Sequence, residues 1–226
     1  MDEIEELART IEDCRQCPRL VDWREQVAND RVRRFRDHVY WGRPLAGFGD
    51  PAARIMIVGL APAAHGGNRT GRMFTGDDSA TWLAEALHRV GLANQPHSDH
   101  RDDGYRLIDS WITAAVRCAP PKNRPSPVEI RQCSPYLHQE LRLINPRVVI
   151  ALGKIAFDAV GRYLRSTEKV LPKWHFAHGK CYDVSPSMTV IGSYHPSRQN
   201  TQTKRLTRDM FDNIFDMAVS IASDRS

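Results

Sequence analysis

The sequence predicts an α/β protein, a three-layer αβα sandwich with a central four-stranded parallel sheet. Three observations predict this fold. Four short apolar runs rich in β-branched residues are typical of strands buried on both faces, and amphipathic helical patterns lie between them. The chain has 226 residues, of which 41% are hydrophobic, which is enough for a core of its own. We therefore expect a single domain over residues 1–226.

The four predicted strands are each bounded by polar or turn-forming residues. They cover residues 54–60, 111–116, 147–152 and 188–194. In open α/β folds, ligands bind beyond the carboxyl ends of the strands. The loops that follow the first and the last predicted strand are therefore the first places to look for a functional site.

Helix signals fill the intervals between the strands. Ser79 is a possible cap for a helix over residues 79–90. A second helix is predicted after Ser126, with Pro127 at its first position and Glu129 completing a capping box, and Asn145-Pro146 ends it. Two further helices are predicted over residues 154–163 and 206–222.

The charge of the chain is compatible with a polyanionic partner. The formal net charge is +5, and 26 arginines stand against 6 lysines, although arginine richness can also reflect genome composition. No apolar run approaches the roughly 18 residues of a membrane span, and the acidic N-terminal segment does not resemble an export signal. We expect a cytoplasmic protein that does not bind membranes.

The loop over residues 59–77 is rich in glycine, which allows the backbone to approach a ligand closely. It contains neither the dinucleotide-binding fingerprint nor a phosphate-loop Gly-Lys-Ser/Thr, so a base is the expected ligand rather than a nucleotide cofactor. Phe74 either stacks on that base or packs under the loop. Asp77 either faces the ligand or serves the start of the following helix.

The second candidate segment begins at His195, where the last predicted strand ends. Pro196 restricts the backbone of this histidine to extended geometry, which helps to fix its direction, although a lone histidine at a strand end is often structural. The polar and basic residues that follow suit a phosphate backbone, or else form an exposed loop before the final helix. Those assigned to DNA binding are Arg198, Gln199, Asn200 and Lys204.

Five cysteines in a chain without an export signal argue against disulfides. Four of them form two pairs, Cys14-x2-Cys17 and Cys118-x14-Cys133. Four thiolates suit zinc or an iron–sulfur cluster, but the second spacing is too wide for a standard zinc ribbon. Unconnected core cysteines are the alternative. Cys181 is expected to be an ordinary free thiol.

Taken together, these segments resemble the family 5 (type B) uracil-DNA glycosylases over nearly the whole chain. Residues 59–77 are similar to the first motif of that family, and Cys-Ala-Pro-Pro-Lys-Asn at residues 118–123 is similar to the second. His-Pro-Ser-Arg-Gln-Asn at residues 195–200, with Leu206-Thr207, is similar to the last. Three ordered motifs together with four cysteines make the resemblance specific.

The resemblance implies a monomeric, monofunctional DNA N-glycosylase of base excision repair that acts on DNA containing uracil or other deaminated bases. It also implies base flipping, because a sugar–base bond inside stacked duplex is inaccessible. A [4Fe-4S] cluster is implied, tying the N-terminal segment to the rest of the domain. Its expected ligands are Cys14, Cys17, Cys118 and Cys133.

Roles for the site residues follow from the same resemblance. Asp77 would orient the water and stabilise positive charge on the sugar, and His195 would hydrogen-bond a carbonyl oxygen of the departing base. Phe74 would stack on the base and Asn123 would contact the base or its flank. Ala61, which is also assigned to base binding, occupies the place where related glycosylases carry a polar residue that handles the water.

Base selection is expected to be broad. The sister family that is strict for uracil carries an asparagine in the strand leading to the cysteine, whereas this chain has Thr-Ala-Ala-Val-Arg-Cys at residues 113–118. Hypoxanthine, and with it xanthine, would then be accepted. Two other classes remain open: a non-catalytic iron–sulfur module that binds damaged DNA, and a zinc-dependent nucleotide hydrolase, which would need histidine or carboxylate ligands near the cysteines.

Overall fold

The computed structural model describes residues 3–167 and 173–224. Its helices are α1 (Glu3–Glu12), α2 (Pro18–Asp30), α3 (Gly67–Thr70), α4 (Asp78–Arg89), α5 (Pro127–Ile144), α6 (Lys154–Ser166), α7 (Arg198–Gln202) and α8 (Arg208–Asp224). Its strands are β1 (Phe48–Gly49), β2 (Ile55–Gly59), β3 (Ser110–Ala114), β4 (Val148–Leu152), β5 (Cys181–Ser185) and β6 (Met188–Ser193). The predicted α/β class is confirmed.

The sheet has six strands in the order β1-β3-β2-β4-β6-β5. Strands β3, β2, β4 and β6 pair in parallel, while β1 and β5 are antiparallel edge strands. The prediction of a four-stranded parallel sheet is therefore incomplete. The four predicted strands are parallel, but the sheet has six strands and is mixed. The edge strands were missed for a physical reason: β1 has only two residues, and β5 alternates exposed with buried positions instead of forming an apolar run.

Alternate residues of the central strands fill two different cores. On β2, Ile55 and Ile57 belong to the cluster beneath α4 and α8, whereas Met56 and Val58 belong to the cluster beneath α5 and α6. Because both faces are covered by helices, every residue of β2 is buried. This burial explains why the strand appears in the sequence as a continuous apolar run.

The structure tests two predicted helix starts. The capping box of α5 is confirmed: the Ser126 hydroxyl accepts from the Glu129 amide, and the Glu129 carboxylate accepts from the Ser126 amide. The assignment of Ser79 as the cap of α4 is wrong. Asp77 caps that helix, and the Ser79 hydroxyl donates instead to the carbonyl oxygen of Pro196 at 3.0 Å.

The strand order locates a crevice. From β2 the chain passes to β3 on one side and then to β4 on the other, so connections diverge between β2 and β4. Ligands of such folds bind beyond the carboxyl ends of strands at this switch point.

None of the helices in the described ranges is long and apolar enough to cross a membrane.

Candidate active site

Phe74 lies in the loop after β2 and packs against the end of that strand. Its backbone has a φ of +47°, an uncommon conformation for a bulky residue. A Cβ built on Gly59 would lie 2.7 Å from Cε2 of Phe74, so glycine is required there for the ring to pack so closely. The rings of Phe74 and His195 lie 29° from parallel, with centroids 5.9 Å apart.

Asp77 has a half-buried side chain with two distinct surroundings. Its Oδ1 accepts a hydrogen bond of 2.9 Å from the Ala80 amide and so caps α4. Its Oδ2 points at Gly66, where a Cβ would lie only 2.1 Å away. Burial raises the pKa of the Asp77 carboxyl, while the hydrogen bonds from the Ala80 and Ser79 amides oppose that rise. One oxygen is therefore committed to the helix, and the other faces the glycine loop.

His195 directly follows the residue after β6 and is held through its backbone. Its carbonyl oxygen accepts hydrogen bonds from the Ser197 amide and from the side-chain amide of Asn200, both at 2.8 Å. Burial lowers the pKa of the imidazole to about 4, so the ring is neutral at physiological pH. A neutral imidazole has one N–H group available to donate a hydrogen bond.

The two candidate loops are joined directly. Besides the bond from Ser79 to Pro196, the guanidinium of Arg198 forms an ion pair with the carboxylate of Asp78. Asp78 follows Asp77, and Arg198 begins the short helix α7 after His195. These contacts bring the carboxylate, the aromatic ring and the imidazole into one region.

Other predicted residues lie outside this arrangement. Asn123 is exposed in a short 3-10 turn and has a φ of +55°. The structure gives it no hydrogen bond or ring contact with Phe74, Asp77 or His195. Ala61 is half-buried and packs against the small cluster of Leu20, Val116 and Cys118.

The four residues assigned to DNA binding differ in their surroundings. Arg198, Gln199 and Lys204 are exposed, and Lys204 has a φ of +55°. Asn200 is half-buried, and its side-chain amide is used to hold the backbone of His195. Its assignment to DNA contact therefore stays a prediction, whereas its positioning of the His195 loop is visible.

Comparison with known proteins gives this geometry a family. The profile described as the uracil DNA glycosylase superfamily matches residues 46–218. The chain belongs to this superfamily. It is 50% identical to the type-5 uracil-DNA glycosylase of Thermus thermophilus over 92% of this chain and 93% of that protein. It is 49% identical to the type-5 enzyme of Mycobacterium tuberculosis over 96% of this chain and 81% of that protein.

This chain is also similar to more distant relatives. A type-4 uracil-DNA glycosylase of Pyrobaculum aerophilum is 34% identical over 71% of this chain, whereas the type-5 enzyme of the same organism is 45% identical over 96% of it. The greater identity and coverage agree with the type-5 family predicted from the motifs.

The four paired cysteines line one cavity, although the two pairs are far apart in sequence. Cys14 and Cys17 come from the segment between α1 and α2, Cys118 follows β3, and Cys133 lies on α5. Cys181 lies apart from them and is exposed on β5. The tertiary structure thus separates four of the five cysteines from the fifth.

Hydrogen-bond donors surround the cavity sulfurs. The buried guanidinium of Arg24 donates to Cys118 Sγ at 3.0 Å, and the Arg117 amide donates to Cys133 Sγ at 3.3 Å. Such donors stabilise thiolates over thiols. Burial raises the pKa of Cys118 to about 11 and that of Cys133 to about 12. Burial thus disfavours the thiolate forms of Cys118 and Cys133, and nearby positive charge would favour them.

No group of three or more His, Cys, Asp or Glu side chains in the described ranges is arranged to hold a single metal ion. The ligands of a four-iron cluster bind at separate corners, so they need not converge on one point. A cavity lined by four thiols and N–H donors is compatible with such a cluster. The alternative of four unconnected core cysteines does not explain their shared cavity.

Sequence reasoning missed a buried ionic network next to the cysteine cavity. Arg117 and Glu140 have side chains only 1% exposed and form an ion pair of 2.6 Å. Glu140 also accepts from the Thr113 hydroxyl and from the Gly47 amide. The only available signal was a charged residue on the otherwise apolar face of α5. The network ties β3, α5 and the segment before β1 together behind Cys118.

Proposed function

We propose that this protein is a monofunctional uracil-DNA glycosylase, which flips a deaminated base out of DNA and hydrolyses its bond to the sugar. One observation carries the proposal: in a chain of this superfamily, the rings of Phe74 and His195 pack near-parallel beyond the carboxyl ends of the sheet, and Asp77 lies in the same loop as Phe74. The substrate is DNA, and the product is an abasic site in base excision repair.

Asp77 is the proposed water-orienting residue. As the C1′–N bond breaks, its electron pair passes to the base and positive charge develops on the sugar, which a nearby carboxylate stabilises. The water oxygen then bonds to C1′ and its proton passes to solvent. The oxygen of Asp77 that does not cap α4 is the one available for this water. Ala61 lacks a polar group for this task.

His195 is proposed to stabilise the departing base. Because its pKa is lowered to about 4, it acts as a neutral hydrogen-bond donor and not as a cation. The imidazole N–H would donate to a carbonyl oxygen on which negative charge accumulates. Asn200 and Ser197 hold the histidine backbone, so the segment that carries the imidazole is held before substrate arrives.

Phe74 is proposed to stack on the flipped base. Its positive φ and its contact with Gly59 hold the ring rigidly, and a rigid aromatic face stacks on any base. Stacking and packing are compatible, because Phe74 is only half-buried. Asn123 is proposed to contact DNA beside this pocket, and Arg198, Gln199 and Lys204 to contact the phosphate backbone.

A broad range of bases is the finer part of the proposal. Ala114 ends β3 and pairs in register with Gly59, which places it at the floor of the region beneath Phe74. An alanine offers no hydrogen bond to a pyrimidine edge, and apolar walls discriminate only weakly. Uracil, hypoxanthine and xanthine share a carbonyl oxygen that His195 would recognise.

The decisive assay is release of free base. Oligonucleotide duplexes containing uracil, hypoxanthine or xanthine are incubated with excess protein, and released bases are quantified together with alkali-sensitive abasic sites. We expect release of uracil and hypoxanthine. Tight binding to damaged duplex without any released base would instead identify a non-catalytic damage-binding module.

We further propose that Cys14, Cys17, Cys118 and Cys133 hold a [4Fe-4S] cluster. When bound, the cluster would supply a covalent clamp between the segment joining α1 to α2 and the loop joining β3 to α5. Arg24, which also contacts the carbonyl oxygen of Cys14, would neutralise part of its negative charge.

Metal analysis with two matched variants tests the cluster. The wild-type protein, purified without oxygen, is expected to be brown and to contain iron and sulfide in equal amounts. Cys118→Ser should lose both, whereas Cys181→Ser, which alters an exposed thiol outside the cavity, should retain them. Stoichiometric zinc without sulfide in the colourless wild type would show that the cluster assignment is wrong.

A further inference from the structure

An exposed arginine-rich segment lies between α2 and β1. We call residues 31–38, Arg-Val-Arg-Arg-Phe-Arg-Asp-His, the arginine loop. All of its residues except Phe35 are exposed. Arg31 holds the shape of the loop, since its guanidinium donates to the carbonyl oxygens of Ala28 and Arg36. The other three arginines are not used in this way.

Those three arginines have little acidic compensation. Arg36 approaches only its neighbour Asp37, at 3.8 Å, and both side chains are exposed. Within residues 3–167 and 173–224, Arg33 and Arg34 form no ion pair with a carboxylate. Exposed like charges this close together repel one another unless an anion binds between them. The loop therefore carries more positive charge than its ion pairs neutralise.

The loop is fastened to the backbone next to Asp77. The Arg69 guanidinium lies over the Phe35 ring, 4.0 Å from its centroid, and contacts His38 Nδ1 at 3.2 Å. The same guanidinium donates to the carbonyl oxygen of Gly76 at 3.0 Å. One buried arginine thus connects the arginine loop to the residue preceding the proposed catalytic carboxylate.

The charge of the arginine loop also acts on the start of α4. The ion pair with Arg198 lowers the pKa of Asp78, and the charge of Arg34 contributes further to that lowering. Arg34 and Arg198 therefore both act on the first residue of α4. The arginine loop and the His195 segment thus both place arginine charge near the start of this helix.

We propose that the arginine loop binds the phosphate backbone of the DNA strand that carries the flipped nucleotide, with Arg33, Arg34 and Arg36 as the contacting residues. The proposal rests on the proposed function for the identity of the ligand. A flipped nucleotide needs its flanking phosphates held, because extrusion costs a few kcal/mol that backbone contacts offset. Guanidinium groups suit phosphate oxygens, which they bind in pairs.

Salt dependence of binding tests this assignment. The dissociation constant of a uracil-containing duplex is measured from about 50 to 200 mM salt, a range over which each phosphate contact contributes about 0.9 to the logarithmic slope. Arg33→Ala/Arg36→Ala should reduce the slope by about two, and adding Arg34→Ala should reduce it by nearly three. Undamaged duplex, which has no flipped nucleotide to hold, should lose less of its slope than the uracil-containing duplex. A Lys triple variant, which keeps the charges, should retain most of the slope.

The control is a charge-matched pair on another surface. Arg131 and Arg165 are exposed on α5 and α6 and both lie near Arg162. Arg131→Ala/Arg165→Ala should leave the slope nearly unchanged. Equal slopes for the two double variants would overturn the proposal, as would an unchanged slope in the triple variant. Binding through this loop without uracil release by the wild type would support the loop assignment and reject the proposed function.

Discussion

Gly66 leaves the space that the carboxylate of Asp77 occupies: a Cβ at this glycine would lie 2.1 Å from Oδ2 of Asp77. The backbone of Gly66 also has a ψ of −107° at a φ of −99°, outside the broad regions that other residues favour. Two requirements thus converge on one glycine of the first motif. The pattern of glycines in the sequence indicated a close approach of backbone to ligand, but the closest approach is to a side chain of the protein itself.

We expect Gly66→Ala to slow uracil excision by about 100-fold, because displacement of a catalytic group by about 1 Å can cost that much. DNA binding should change little. The double variant Gly66→Ala/Asp77→Asn should be no slower than Asp77→Asn alone, since both changes act through one carboxylate. Additive losses in single-turnover rates would show that Gly66 acts through another group.

Asp77→Asn separates the two roles of Asp77. Asparagine caps helices about as well as aspartate, so the stability of α4 should be retained while excision falls by about 100- to 1,000-fold. Asp77→Ala should lose the same activity and, in addition, about 1 kcal/mol of unfolding free energy. Single-turnover rates and thermal melting distinguish these effects. Full excision by Asp77→Asn would reduce the residue to a helix cap.

His195 predicts a pH dependence of stability. Its pKa is lowered by burial from 6.5 to about 4 in the folded protein, so the unfolded chain binds the proton more readily. The stability that comes from keeping His195 neutral in the folded protein is fully present above pH 6.5 and is lost as pH falls toward about 4. We expect the unfolding free energy of the wild type to fall over this window more steeply than that of His195→Gln. Parallel curves would contradict the shift.

The same histidine predicts no titration of excision near neutral pH. Because the imidazole is already neutral, its protonation should not limit the single-turnover rate between about pH 6 and 8. His195→Ala should be slower by about 100-fold across that whole range. A wild-type rate that rises or falls with a pKa near 6.5, and that becomes flat in His195→Ala, would mean that the cationic form takes part.

Ala114→Asn tests base selection. Asparagine at the end of β3 is expected to read a pyrimidine edge and to reduce excision of hypoxanthine more than that of uracil. Discrimination that depends on a buried polar group can exceed the roughly 10- to 200-fold that an apolar pocket provides. Ala114→Val is the matched control, since it adds volume without hydrogen-bonding groups. Equal narrowing by both variants would assign selectivity to pocket size.

Local signals were sufficient to predict the four central strands, the start and end of α5, and the two loops that carry Asp77 and His195. Strands buried on both faces and capped helices are specified by residues close together in sequence. Hydrophobic patterns and helix start and stop signals therefore reveal them. The motifs identified the superfamily for the same reason. Edge strands such as β5 leave weaker marks, because half of their residues face water.

What the sequence determined by itself was the fold class, the family and the list of candidate residues. Only the tertiary structure decided which residues meet: that Cys14 and Cys133 line one cavity, that Asp77 rather than Ser79 caps α4, and that Asn200 holds His195. These contacts join residues distant along the chain, and each depends on competition among several polar groups for one partner. Such competition is resolved by the packing of the whole domain, which no local pattern records.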